Sequence, residues 1–391
     1  NASSIFVFMN TNFNEASEFM TVKMTPMLLL IIPYIVLFVI VLKYIPNLSL
    51  KPRRNLLLWS ALWTFIIVFF ADNIIHNRFV RLAVPDVERA VISFVNESKS
   101  YKSLRTRNLY DIDAEIYTND STLVVVIIGE SCNRNHMSLY GYHRETSPCL
   151  SDRNDIKIFD NVISHNSSTL QSIMNILTEN NSERVRPVDS CIHVFDVFHS
   201  TSYKTYWISN QSPVGLWDNG VTSLAQNADS KIFVNLMASS SIENTQMASY
   251  DENLIQPLEN SLKDDAKNKL VFIHMMGSHT QYNKRYPSNF NKFNSASDSK
   301  ANIIDSYDNS ILYNDYIIDS IFGGLKEYGM NHPDVRISAL YFSDHGENVY
   351  DEGNYFGHDY SGDIPHSNVE IPFIFWFSQS QINYLKKSGN D

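Results

Sequence analysis

Four short apolar runs set the strongest limit on how this chain folds: residues 123–128 (LVVVII), 270–274 (LVFIH), 337–342 (ISALYF) and 371–377 (IPFIFWF). They are rich in β-branched and aromatic residues and do not alternate polar with apolar positions, so as strands they are buried on both faces. Strands of that kind belong to a mostly parallel sheet sandwiched between helices. Helical periodicity separates them. Leu170, Ile173, Met174 and Leu177 make one stripe, and Ile304, Tyr307, Ile311, Ile318 and Leu325 outline a longer one ahead of Gly329. The fold class expected is α/β.

Three of the runs lead straight into polar clusters: Gly129-Glu130-Ser131, the stretch 275–279 (MMGSH) and the stretch 343–347 (SDHGE). An adjacent carboxylate and imidazole, Asp344 and His345, cost free energy near a core unless something compensates them. They suit a hard or borderline cation such as Zn²⁺ or Mn²⁺. Open α/β sheets bind ligands at the carboxyl ends of their strands, so Glu130, His279, Asp344 and His345 are expected to converge although they are far apart in sequence. A lone strand-end Glu is more often a helix cap; the set together points to a metal site.

The segment 165–180 (HNSSTLQSIMNILTEN) offers a nucleophile. Ser167 and Ser168 are capping residues and the apolar stripe starts at Leu170, which puts Thr169 in the first helical turn. There its hydroxyl feels the positive end of the helix dipole, which favours an alkoxide or a transferring phosphate. Spacing alone leaves open that Thr169 merely shares in capping.

Residues 24–42 (MTPMLLLIIPYIVLFVIVL) carry no charge, and at roughly 1.5 Å per residue they nearly cross a hydrocarbon core of about 30 Å. A second uncharged run occupies 55–71. Both are apolar on every face instead of striped, so they read as membrane spans, not as buried core helices. Lys43, Lys51, Arg53 and Arg54 between them place that loop in the cytoplasm and everything after residue 72 outside it. The chain opens on Asn1, not Met, and a start inside a longer protein is expected. With 31 Lys+Arg against 42 Asp+Glu, a net charge of −11 and no basic stripe, the composition argues against a nucleic-acid partner.

The stretches 127–148 (IIGESCNRNHMSLYGYHRETSP), 160–173 (DNVISHNSSTLQSI), 272–287 (FIHMMGSHTQYNKRYP), 343–358 (SDHGENVYDEGNYFGH) and 369–378 (VEIPFIFWFS) together resemble the phosphoethanolamine transferases of Gram-negative bacteria. These are membrane-anchored members of the alkaline phosphatase and sulfatase superfamily. The opening MNTNFNEASEFM (9–20) is similar to the periplasmic loop between membrane helices of that family, whose five spans would be represented here by the last two.

The resemblance implies roles residue by residue. Glu130 matches the family's first zinc-ligand carboxylate, Asp344 and His345 its Asp-His ligand pair, and Thr169 its nucleophile, which also touches zinc. His279 and His358 match histidines near the transferred phosphoethanolamine. Asn12 and Glu15 are candidates for the donor headgroup, and Asn210, Gln211 and Ser212 for the pocket lining. Arg134 and Arg144 are expected in structural salt bridges. The cofactor implied is one tightly held Zn²⁺, with further ions left open. The donor implied is phosphatidylethanolamine and the acceptor lipopolysaccharide, with low cysteine content and the wording HMSLYGYHRETSP closer to the branch that decorates core sugars than to the lipid A branch.

The organisation expected is an extracytoplasmic loop at 1–23 and two transmembrane helices in 24–75 around a basic loop at 43–54. A juxtamembrane linker with helices follows at 76–120, and a periplasmic sulfatase-like catalytic domain at 121–391. The whole is set in the bacterial inner membrane. Of Cys132, Cys149 and Cys191, the first sits in an active-site motif, so Cys149 with Cys191 is the disulfide expected. Two rival functions share these features: a metal-dependent phosphodiesterase or sulfatase-type hydrolase, and an inactive membrane scaffold. No cysteine here begins the C/S-x-P-x-R pattern that sulfatases mature, and intact Glu130, Thr169, Asp344 and His345 speak against a scaffold.

Overall fold

The computed structural model describes residues 60–61, 63–64, 103–104, 107–116 and 119–389, apart from 182, 185, 213–219, 236–248, 296–297 and 359–363. The chain divides into two units, 1–96 and 97–391. The loop at 1–23 with Asn12 and Glu15, the span at 24–42, the basic loop and the part of the juxtamembrane linker at 76–102 lie outside the described residues; of the second span, residues 60–61 and 63–64 are described and are helical. Among the described residues no helix is long and apolar enough to cross a membrane.

Among the described residues the second unit has nine strands: β1 (Ser121–Gly129), β2 (Ile156–Phe159), β3 (Lys204–Ser209), β4 (Ser230–Phe233), β5 (Asn268–His274), β6 (Val335–Ser343), β7 (Asn348–Val349), β8 (Phe356–Gly357) and β9 (Phe373–Phe377). Seven of them form one sheet in the order β2-β9-β6-β1-β5-β3-β4, and β7 with β8 makes a small hairpin. Its main helices are α1 (Thr169–Leu177), α2 (Val194–Ser200), α3 (Ile255–Leu262), α4 (Ser299–Asn331) and α5 (Gln379–Lys387). The sheet is mostly parallel, as expected: β4, β3, β5, β1 and β6 pair parallel throughout.

Alternation of side chains gives the sheet two buried faces. On one, Leu123, Val125 and Ile127 of β1 join Val271 and Ile273 of β5, Ile337, Ala339 and Tyr341 of β6, and Tyr307, Ile311, Ile318 and Leu325 of α4 in a single core. On the other, Phe272 of β5 packs against Trp207 of β3 and Phe195 of α2, with ring centroids 5.6 and 5.5 Å away. The long stripe thus covers one face of the three central strands; α4 runs past Gly329 and ends at Asn331.

The fourth apolar run departs from the expected pattern. β9 is antiparallel to both β6 and β2, and its residues alternate, with Ile374 and Trp376 buried and Phe373, Phe375 and Phe377 half-buried. One strand from the sheet edge, β9 has a single fully covered face, on which Trp376 stacks on Phe322 of α4. β2 and β4, the edge strands, carry no clear sequence signal because each is four residues long and interrupted by a lysine.

The cysteines also differ from expectation: all three are free. The Cys149 N–H is held by Asp315 of α4, whereas the Cys191 thiol contacts the carbonyl of Pro187 in the loop before α2. The two are anchored to different supports. Burial pushes both thiols up, Cys149 to about 12.

Candidate active site

The strand ends are tied into one platform by backbone hydrogen bonds. Met275 N–H donates to Ile128 O at 2.9 Å, Ser278 N–H to Glu130 O at 2.9 Å, and Asp344 N–H to Gly129 O at 3.0 Å. The 275–279 turn closes on Glu130 only because residue 277 is glycine. Its φ is +54°, and a Cβ there would stand 2.7 Å from the Glu130 carbonyl oxygen. Ser131 takes the left-handed φ of 57°, a conformation that side-chain-bearing residues hold only when surroundings over-determine it. Tyr307 of α4 supplies that: its hydroxyl donates to Ser131 O and accepts from Asn133 N–H.

On this platform Glu130, Asp344 and His345 come together with Thr169. His345 Nε2 lies 3.3 Å from Glu130 Oε1 and 3.6 Å from Asp344 Oδ2. Thr169 is the first residue of α1, and its Oγ1 donates to Glu130 Oε2 at 3.0 Å and lies 3.3 Å from His345 Nε2. Ser168 occupies the N-cap position by its backbone but makes no capping hydrogen bond with its side chain. Thr169 is half-buried, whereas Glu130, Asp344 and His345 are buried, so the hydroxyl is the reachable member of the group.

The electrostatics of this group fit a cation. Burial, then the Glu130 charge, push Asp344 up; burial works against His345, but Asp344 and Glu130 outweigh it and hold its imidazole charged. Burial also works against the Glu130 charge, and the hydrogen bond and charge of His345, the charge of His279 and Ser131 keep it low. Asp344 Oδ2 is buried without a hydrogen-bond partner, facing a second carboxylate and an imidazole nitrogen. Two carboxylates and one imidazole whose ligand atoms all lie within 4.8 Å of one another are a donor set that Zn²⁺ satisfies. Further hydrogen bonds hold these groups in place: Ser131 Oγ donates to Glu130 at 2.6 Å, Ser131 and His345 N–H to Asp344 Oδ1, and His345 Nδ1 meets Gly346 O at 2.7 Å. The last contact leaves Nε2 as the ligating nitrogen.

Of the remaining candidates, Gln211 reaches the site, donating from Nε2 to Glu130 Oε2 at 2.9 Å. Asn210 is engaged elsewhere, its amide held by Asp251 and Ser249, and Ser212 is buried. Asp251 in turn accepts from Met276 and Gly277 N–H, fixing the turn that presses on Glu130. His279 is half-buried with Nδ1 unbonded. His358 places its ring centroid 4.6 Å from that of His345. Arg134 pairs with Glu370, and Arg144 with Asp305 and Asp308, so both are structural. Sequence reasoning missed Glu347, although it stands in the quoted SDHGE cluster, and Tyr282, whose only signal is its place three residues after His279.

Residues 122–388 match the family described as Sulfatase. The chain is 28% identical over 415 residues to phosphoethanolamine transferase EptC of Escherichia coli strain K12, covering 96% of this chain and 69% of that protein. Among solved structures it is similar to the C-terminal periplasmic domain of EcEptC from Escherichia coli in complex with Zn, at 30% identity and a TM-score of 0.61, covering 68% of this chain and 75% of that one. It also shares its fold with the integral membrane protein lipooligosaccharide phosphoethanolamine transferase A (EptA) from Neisseria meningitidis, at 20% identity and a TM-score of 0.68 over 100% of this chain and 74% of that one.

Proposed function

We propose that this chain, which belongs to the sulfatase family and within it to the phosphoethanolamine transferases, moves phosphoethanolamine from phosphatidylethanolamine to lipopolysaccharide through a covalent intermediate on Thr169. The observation that carries the reading is the position of Thr169 Oγ1: at the start of a helix, half-buried, and hydrogen-bonded to Glu130 beside His345. Glu130, Asp344, His345 and Thr169 would hold Zn²⁺, which when bound supplies a Lewis acid that lowers the hydroxyl pKa and neutralises phosphoryl charge.

The chain's own groups account for the rest. The Thr169 proton lies along its hydrogen bond to Glu130 Oε2 and leaves toward that carboxylate. The positive end of α1 favours the negative oxygen and the phosphate that reaches it. As the Thr169 oxygen bonds to phosphorus, the P–O bond to diacylglycerol breaks and the departing oxygen takes a proton that His279 or His358 would supply. In the second half an acceptor hydroxyl or phosphate oxygen attacks the same phosphorus, a hydroxyl's proton passing to the histidine that gave one up, and the Thr169–phosphorus bond breaks as the Thr169 oxygen takes back the proton from Glu130. Gln211, hydrogen-bonded to Glu130, keeps that carboxylate aimed at Thr169.

The donor is a bilayer lipid, which gives the apolar runs at 24–42 and 55–71 their purpose as anchors for a catalytic domain, residues 121–391, in the periplasm. The test is incubation of the zinc-loaded protein with a fluorescent phosphatidylethanolamine. Release of diacylglycerol that requires Thr169 and rises with added lipopolysaccharide supports the transferase; release unaffected by any acceptor makes it a hydrolase, and no release overturns the reading.

A further inference from the structure

Glu347 follows His345 by two residues, is fully buried, and has both carboxylate oxygens engaged. Oε1 accepts the Tyr282 hydroxyl at 2.5 Å, and Oε2 faces His358 Nδ1 at 2.8 Å. A carboxylate paired with a ring nitrogen in this way accepts, so the hydrogen of the pair sits on Nδ1 and Nε2 is the ring nitrogen left for other partners. The fold makes this meeting unavoidable. Glu347 immediately precedes β7 and His358 immediately follows β8; pairing of Asn348 with Gly357 and Val349 with Phe356 sets the two residues opposite each other at the open end of the hairpin.

Tyr282 completes the chain of contacts. It is buried, and its ring lies 5.0 Å from Tyr307 and 6.4 Å from Phe356, so its hydroxyl is held in one direction. Burial and the Glu347 charge push its pKa up, which keeps it a donor. His358, by contrast, has a quarter of its side chain exposed, against none for Glu347, and its ring leans at 60° on that of His345. The order from interior to site is therefore Tyr282, Glu347, His358. A partly exposed imidazole is useful beside a reacting phosphate only if it stops rotating.

We propose that Glu347 is a positioning residue for phosphoryl transfer: anchored by Tyr282, it fixes the ring plane and tautomer of His358 so that Nε2 is the nitrogen presented to the phosphoryl group. This rests on the transferase reading above. Acting only through His358, Glu347 has an effect that vanishes when His358 is absent, and a residue needed merely for folding or for the metal does not behave so.

The test is a double-mutant cycle on the zinc-loaded full chain with fluorescent phosphatidylethanolamine. Glu347→Ala is expected to lower kcat about ten- to a hundredfold with KM little changed, the usual scale for an orienting partner. Glu347→Gln, whose amide oxygen still accepts from Nδ1, recovers most of that loss, and Tyr282→Phe costs only a few-fold, on the order of one lost hydrogen bond. In a His358→Ala background each of these substitutions has no further effect. An undiminished loss in that background overturns the proposal. If Glu347→Ala does not fold, the Gln and Phe variants carry the same cycle. Nitrogen-15 shifts of the histidine rings decide independently of turnover: protonated Nδ1 on His358 in the wild type, scrambled in Tyr282→Phe or Glu347→Ala, is the expected result, and a protonated Nε2 with bare Nδ1 overturns it. Absence of diacylglycerol release by the wild type would remove the transferase reading while the ring shifts still judge Glu347.

Discussion

Thr169 Oγ1 lies 3.0 Å from Glu130 Oε2, a hydrogen bond joining residues 39 positions apart across the start of α1 and the end of β1. Ser131 Oγ lies closer still to the same carboxylate, 2.6 Å from Oε1, yet it is fully buried and Thr169 is not. The two hydroxyls should behave differently. Thr169→Ala is expected to abolish transfer, because a covalent nucleophile carries many orders of magnitude of rate. Ser131→Ala removes one charge-assisted hydrogen bond, about 1.5–3 kcal/mol, and slows turnover by roughly ten- to a hundredfold. Intact mass after exposure to phosphatidylethanolamine should show an added phosphoethanolamine group, mapped by peptide fragmentation to 165–180. An adduct on Ser131 would sink the assignment.

Asp344 presents a buried oxygen with no hydrogen-bond partner, so removing its carboxylate should be felt by the metal before the fold. Asp344→Ala is expected to lose zinc through gel filtration, and activity with it, while circular dichroism remains that of the folded chain. Full zinc occupancy in this variant would take Asp344 out of the ligand set.

His136 gives the chain a pH-dependent clamp away from the site. It bridges Asp308 of α4 at 2.7 Å and Asp351 at 3.0 Å, with Tyr142 and Tyr307 rings against it and Arg144 on the far side of Asp308. Burial lowers its pKa, but the hydrogen bonds and charges of Asp308 and Asp351 outweigh burial and raise it to about 9. A histidine raised in the folded state contributes stability that is complete below its unfolded pKa of about 6.5 and fades as pH climbs through about 9. The stability gap between wild type and His136→Gln, from urea unfolding, should shrink by up to about 3 kcal/mol between those limits. A gap that stays constant from pH 6 to 10 would show that the bridge is not ionic.

The proposed topology predicts opposite labelling of two cysteines introduced into a cysteine-free background. At Ser49, in the basic loop, a cysteine should resist a membrane-impermeant thiol reagent in intact cells. At Asn294, exposed in the second unit, it should react from the periplasmic side. The reverse pattern would place the second unit in the cytoplasm, away from any lipopolysaccharide.

The sequence by itself determined the features that depend on near neighbours. Unalternating runs identified β1, β5 and β6 because burial on both faces leaves no polar positions, and the serines before Leu170 placed Thr169 at a helix start because helix ends have local requirements. The convergence of Glu130, Asp344 and His345 followed one step further, since parallel strands deliver their carboxyl ends to one edge wherever they lie in the chain.

Only tertiary structure decided which side chain faces which. Glu347 meets His358 and Tyr282 across 11 and 65 residues, and His136 meets Asp308 across 172. The direction of β9, the engagement of Asn210 by Asp251 and the separate anchoring of Cys149 and Cys191 belong with them. The physical reason is that a buried polar group must find its partner in whatever element packs beside it. Periodicity reports which face of an element is covered; the identity of the cover is set by chain crossings that leave no local mark.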